Sequence, residues 1–182
     1  MDGIGALGFG VDQATATATL SAALGAPIDQ ADAHFTENMG DHFEDEDGYA
    51  FPTEYARSVC FANDLCVWFG GGTPDALQFL GWNYAYAGEG PMPSPTLSTA
   101  DGVRPGLHWA DVAASLQVAP DGCYYTGFGT TAGIDVELAS QESWFGSMGV
   151  DPPPVPVTPD PAEVTITLMH AGAQTTFPAE EC

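Results

Sequence analysis

The chain has 182 residues, 45% of them hydrophobic, which is enough to bury a real core as one domain or two small ones and too apolar for a disordered chain. Two Arg, no Lys and 25 Asp plus Glu give a formal net charge of −23. Nucleic acid and anionic membrane surfaces are poor partners because like charges would meet, and a surface of this sign stays soluble at high ionic strength, which points to a marine or halotolerant setting.

Residues 2 to 8 (DGIGALG) place Gly3, Gly5 and Gly8 at the dinucleotide-binding spacing, with Asp29 about twenty residues further on. That motif needs a strand before it, and only two residues precede Gly3, so the glycines read as a turn. From Phe9 to Pro27 the pattern is one capped helix, with Asp12 placed to accept from first-turn amides, Gly25 to end it and Pro27 to prevent continuation. An echo comes 96 residues later: Gly106, Ala110, Ala114 and Leu116 fall on Gly10, Ala14, Ala18 and Leu20. The echo predicts a second helix and two similar halves.

Between Asp29 and Tyr55 the composition turns acidic, and the segment is expected to be an irregular, solvated loop. Within it Asp45, Asp47, Gly48 and Glu54 occupy the third, fifth, sixth and twelfth places of a calcium loop, which makes Asp45, Asp47 and Glu54 calcium candidates. Phe43, which cannot ligate, stands in the first place, no flanking helix pair is evident, and Pro52 interrupts the chain near the loop's end. His34 and His42 share no helix face that would suit a transition metal.

Val59 to Phe61, Leu65 to Phe69 and Phe79 to Tyr86 read as an antiparallel meander, with Ala62, Asn63 and Asp64 as a three-residue hairpin loop. That hairpin sets Cys60 opposite Cys66, and a bridge there contributes about 2 kcal/mol by chain entropy. Cys123 and Cys182 are then left as a second pair, whose bridge would contribute about 4 kcal/mol. Four cysteines allow three connectivities, and spacing alone does not select among them. The Cys-x5-Cys spacing is a poor match to zinc ligands, so the cysteines point to an oxidising compartment.

Trp82, Tyr84 and Tyr86 share one strand face at period two, a pattern that suits either a core or a surface offered to a partner. Gly90 to Ser98, with three prolines, reads as a linker, giving a first half over 2–89 with the acidic loop, a linker over 90–98 and a second half over 99–182. Cys123 to Phe128, Ile134 to Leu138 and Val164 to His170 are the strands of the second half, and residues 151 to 161 form a proline-rich spacer before the last of them. No run of about 18 apolar residues exists, so no membrane insertion is expected. No signal-peptide pattern opens the chain, and Met1 before Asp2 reads as a start added to a processed, exported protein.

No nucleophile elbow, P-loop, HExxH or CxxC occurs, and FGSMG at 145 to 149 has Phe145 where the elbow needs Gly. The one enzymatic alternative is a hydrolase built on a carboxylate pair. On Phe9-Gly10-Val11-Asp12, Leu24-Gly25-Ala26-Pro27, the echo at Gly106-Leu107-His108-Trp109 and the cysteine placement, the chain resembles the beta-lactamase inhibitory protein family and the small exported proteins that share its repeat. The resemblance implies an α+β fold of two tandem repeats, each a short helical segment packed on a roughly four-stranded antiparallel sheet. It further implies a protein partner met on an aromatic sheet surface. The expectation is therefore a non-enzymatic, secreted or cell-envelope binding module, inhibitor-like, with Trp82, Tyr84, Tyr86, Tyr125 and Trp144 as partner-binding residues and disulfides among Cys60, Cys66, Cys123 and Cys182. No cofactor is expected. A calcium-binding envelope protein and the carboxylate hydrolase are the rival readings.

Overall fold

The computed structural model describes residues 3–62, 64–85, 97–120, 126–131, 133–140 and 158–173. They fall into two units, the first comprising residues 3–84 with 171–173 and the second comprising Ala85 and the described residues from 97 to 170.

The first unit opens with β1 (Gly3–Ile4) and β2 (Leu7–Gly8), paired antiparallel around Gly5, whose φ of 58° closes the turn. The N-terminal glycines thus make a hairpin. Next, α1 (Gln13–Leu24) begins at Asp12, whose carboxylate accepts from the Thr15 amide at 2.9 Å. It ends at Gly25, whose φ of 90° leaves the helix while its amide still bonds the Ser21 carbonyl. One narrow stripe, Ala16 and Leu20, is buried, so the helix lays one edge on the core and leaves its Thr-rich side to water.

β3 (Asp29–His34), β7 (Tyr55–Cys60), β8 (Leu65–Gly71) and β9 (Gln78–Ala85) form an antiparallel meander in that order. Between β3 and β7 the chain folds a small three-stranded sheet from β4 (Glu37–Asn38), β5 (Phe43–Glu44) and β6 (Ala50–Phe51). The acidic stretch is thus folded, not an irregular loop. Phe35 and Phe51 are buried in it with Ala56, and Phe43, Tyr49, Trp68 and Leu80 pack around them. An acidic average conceals this because the aromatics that anchor the sheet are only a few residues among many acids.

In the second unit, α2 (Trp109–Val112) is a single turn, followed by β10 (Gln117–Pro120), β11 (Thr126–Thr131), β12 (Ile134–Ser140) and β13 (Val164–Gly172), antiparallel in that order. Val112, Leu116, Ile134, Val136, Leu138, Val164, Ile166 and Met169 are buried and make its core.

The expected α+β fold of two helix-on-sheet repeats is therefore corrected. The described residues are mostly β, with eight main antiparallel strands and two small sheets, and they hold one 12-residue helix and one helical turn of four. The second helix fails for a local reason. His108 stands where Asp12 caps α1 and makes no side-chain capping bond, and by Gln117 the chain has already entered β10.

What does recur is the entry turn. Gly10 donates to the Phe79 carbonyl and Phe79 to that of Val11, both at 2.8 Å; Gly106 donates to the Ile166 carbonyl at 2.7 Å and Ile166 to that of Leu107 at 2.9 Å. Gly10 and Gly106 have φ of 88° and 82°, a region that favours glycine.

Candidate functional site

Direct pairing in an antiparallel sheet puts partners on the same face, which lets the two faces of the first unit be read from its register. Val59, Val67 and Trp82 form one row, and Leu65 and Tyr84 the next. All five are buried. The opposite face carries the rows Ala31, Ser58, Trp68, Gly81 and Asp29, Cys60, Cys66, Asn83. Apart from Gly81 these residues are half-buried or exposed, so this is the open face.

Trp82 and Tyr84 are therefore core residues, 4% and 1% exposed, and do not present a partner surface. The Trp82 indole N–H donates to the Gly3 carbonyl at 3.2 Å, which satisfies its one polar atom in the interior. Tyr86, Tyr125 and Trp144 lie outside the described residues, as do Cys123 and Cys182. Cys60 and Cys66 are directly paired across β7 and β8 and form a disulfide. The hairpin that aligns them has the expected short loop: the Phe61 amide donates to Leu65 at 2.8 Å, the Asp64 amide to Phe61 at 3.1 Å, and Asp64 takes a left-handed φ of 63°.

The aromatic residue that sequence reasoning missed is Trp68. It is legible only as one member of β8, whose apolar run gives no sign of which residues face outward. Its indole N–H donates to the Asn83 side chain at 3.0 Å, which fixes the ring on the open face. On one side the ring meets Phe51, centroid to centroid 6.1 Å.

The small sheet stands on the same face. A Cβ at Gly70 would come within 2.7 Å of Phe51 and 2.3 Å of the Thr53 hydroxyl, so the absence of a side chain at Gly70 lets Phe51 sit against β8. The open face thus has a floor of Ala31, Ser58, Trp68, Asn83 and the disulfide, and a wall made by the small sheet.

The wall is acidic. Glu37, Asp41, Glu44, Asp45, Glu46 and Asp47 all belong to it. Arg57, the one basic residue of the unit besides histidine, forms an ion pair with Asp32, which lowers the Asp32 carboxyl below its usual range. Its guanidinium also donates to the Gln13 side chain at 3.1 Å, tying α1 to the strands.

The calcium candidates are not gathered. One oxygen of Asp45 accepts from the amides of Asp47 and Tyr49 at 3.0 and 2.9 Å, shaping the β5–β6 turn, and Glu54 meets His34 at 3.2 Å. Among the described residues no three His, Cys, Asp or Glu side chains stand together as a metal site.

In the second unit Gln117, Thr130, Asp135 and His170 lie in one cross-strand row and line a shallow depression of about 500 Å³. The row is polar and open. Among the described residues no helix is long and apolar enough to cross a membrane. No protein-family description, curated protein or solved structure matches the chain.

Proposed function

We propose that the protein is a non-enzymatic binding module that meets a protein partner on the open face of its first unit. Trp68 is the anchor. The observation that carries this reading is the half-buried Trp68, held by Asn83 and backed by Phe51, on a sheet face flanked by an acidic wall. Aromatic residues set in such partly desolvated positions concentrate binding energy, and the surrounding acids select a partner with a basic surface. The Cys60–Cys66 disulfide supports a secreted or cell-envelope setting.

The test is capture of exported proteins from the source organism on the immobilised chain. Trp68→Ala and Ser58→Arg, the latter placing a bulky charge directly opposite Trp68, are expected to abolish capture, and Asp75→Asn to preserve it. Added salt is expected to weaken capture. Equal capture by the wild type and both face variants would overturn the reading.

A further inference from the structure

We propose that the small sheet is a proton-operated brace: protonated His42, clamped between Asp41 and Glu44, fixes the β4–β5 hairpin, and loss of its proton releases the wall beside Trp68. The consequence for partner binding rests on the function proposed above; the brace itself does not.

The geometry suits the protonated ring. His42 Nδ1 lies 2.8 Å from Asp41 Oδ1, and its Nε2 lies 3.0 Å from Glu44 Oε1. Ionised carboxylates only accept, and a neutral imidazole has a single N–H, so both contacts are hydrogen bonds only in the imidazolium. A neutral ring would turn a lone pair toward one of the carboxylates. The hydrogen bonds to Glu44 and then Asp41 raise the His42 pKa above its usual value, and His42 in turn lowers that of Asp41.

No other cation of the wall replaces it. Glu37 stands directly opposite Glu44 in the β4–β5 pairing, where like charges destabilise. Asp45 is engaged by backbone amides, and Glu46 and Asp47 are exposed acids in the same turn. His34, on β3, is directed at Glu54 and stacks on Tyr55 at 4.4 Å, away from this hairpin. Deprotonated His42 therefore leaves two-residue strands held against unrelieved repulsion.

The link to the open face is direct. Phe43, the next residue after His42, pairs with Phe51, and Phe51 lies against Gly70 and Trp68. Loosening the hairpin moves the packing under the Trp68 ring. The sign is set by the raised pKa: the brace is complete below the ordinary histidine value and is lost as pH rises through the higher value of the folded state. At the acid end, protonation of Asp41, whose carboxyl His42 holds below its usual range, removes one arm of the brace.

The test needs no partner. The His42 ring resonances and the 19F signal of 5-fluorotryptophan at position 68 are monitored across pH, the latter assigned with Trp68→Phe. Both are expected to titrate with one midpoint above the ordinary histidine value. His42→Gln is expected to abolish the Trp68 titration, His34→Gln to leave it, and Asp41→Asn, at a residue whose side chain is 91% exposed, to lower the shared midpoint without unfolding the chain. A Trp68 signal that does not track His42, that titrates unchanged in His42→Gln, or a His42 midpoint at or below the ordinary value would overturn the brace. Joint titration with no captured partner would sustain the brace and refute the binding function; capture that is abolished by Ser58→Arg while Trp68 ignores His42 would do the reverse.

Discussion

Phe51→Ala separates a folded small sheet from a solvated acidic loop. Phe51 is 1% exposed, its ring lies 5.6 Å from Phe35 and 6.1 Å from Trp68, and it occupies the space left by Gly70. Removing a buried phenylalanine side chain loses its transfer free energy and leaves a cavity, together about 3–5 kcal/mol. The lower end applies here, because β4, β5 and β6 are two residues each and can open locally before the meander does. The expected loss is about 3 kcal/mol, or a fall in melting temperature of about 6–12 °C at this chain length. Urea unfolding monitored by tryptophan fluorescence, with a parallel thermal scan, measures both. A change within about 0.5 kcal/mol, the usual range for exposed positions, would refute the packing described for the acidic segment.

Replacing Cys60 and Cys66 together by Ser opens a ring between residues six apart and is expected to lower stability by about 2 kcal/mol in urea unfolding. Gly70→Ala forces a methyl group against Thr53 and Phe51 and is expected to cost about 1–3 kcal/mol, whereas Gly72→Ala, with open space at that position, is expected to leave the urea midpoint in place. Asp12→Ala removes the α1 cap and is expected to lower the melting temperature, with Asp12→Asn restoring much of it. The bonds from Thr15 lower the Asp12 carboxyl below its usual value, so its contribution is present above the unfolded carboxylate value and lost as pH falls through the lower folded one. The gap between wild type and Asp12→Ala should therefore close in an acid titration of thermal stability.

Local signals in the sequence are legible where one or two residues decide the backbone. Asp12 and Gly25 delimit α1, and Asp64 with its neighbours sets the hairpin that aligns Cys60 with Cys66. Side-chain direction on a buried strand is another matter. Period-two patterning puts Trp82 and Tyr84 on one face but carries no sign of whether that face meets a helix or a partner, and burial answers for the core. Trp68 is not legible because β8 is apolar on both faces, the pattern of a strand covered on each side. The acidic stretch misleads because its charge is an average over a segment whose fold depends on Phe35, Phe43, Tyr49 and Phe51.

The echo between Gly10 and Gly106 shows how a correct periodic match can carry the wrong structural meaning. At the same offset of 96 residues Ala16 and Leu20 coincide in burial with Val112 and Leu116, and the two segments share the paired backbone bonds to Phe79 and Ile166. Both segments therefore need a glycine at positive φ, two bonds to a strand, and an apolar residue every fourth position. A 12-residue helix meets that requirement in the first unit and a four-residue turn meets it in the second. One difference is the cap: Asp12 satisfies the Thr15 amide with its side chain, whereas the matching Asp111 amide bonds the His108 backbone carbonyl at 3.1 Å and His108 makes no side-chain capping bond. The shared pattern thus specifies how the chain enters each sheet, and the length of helix beyond that entry follows from the cap and from where the next strand begins, at Gln117 in the second unit.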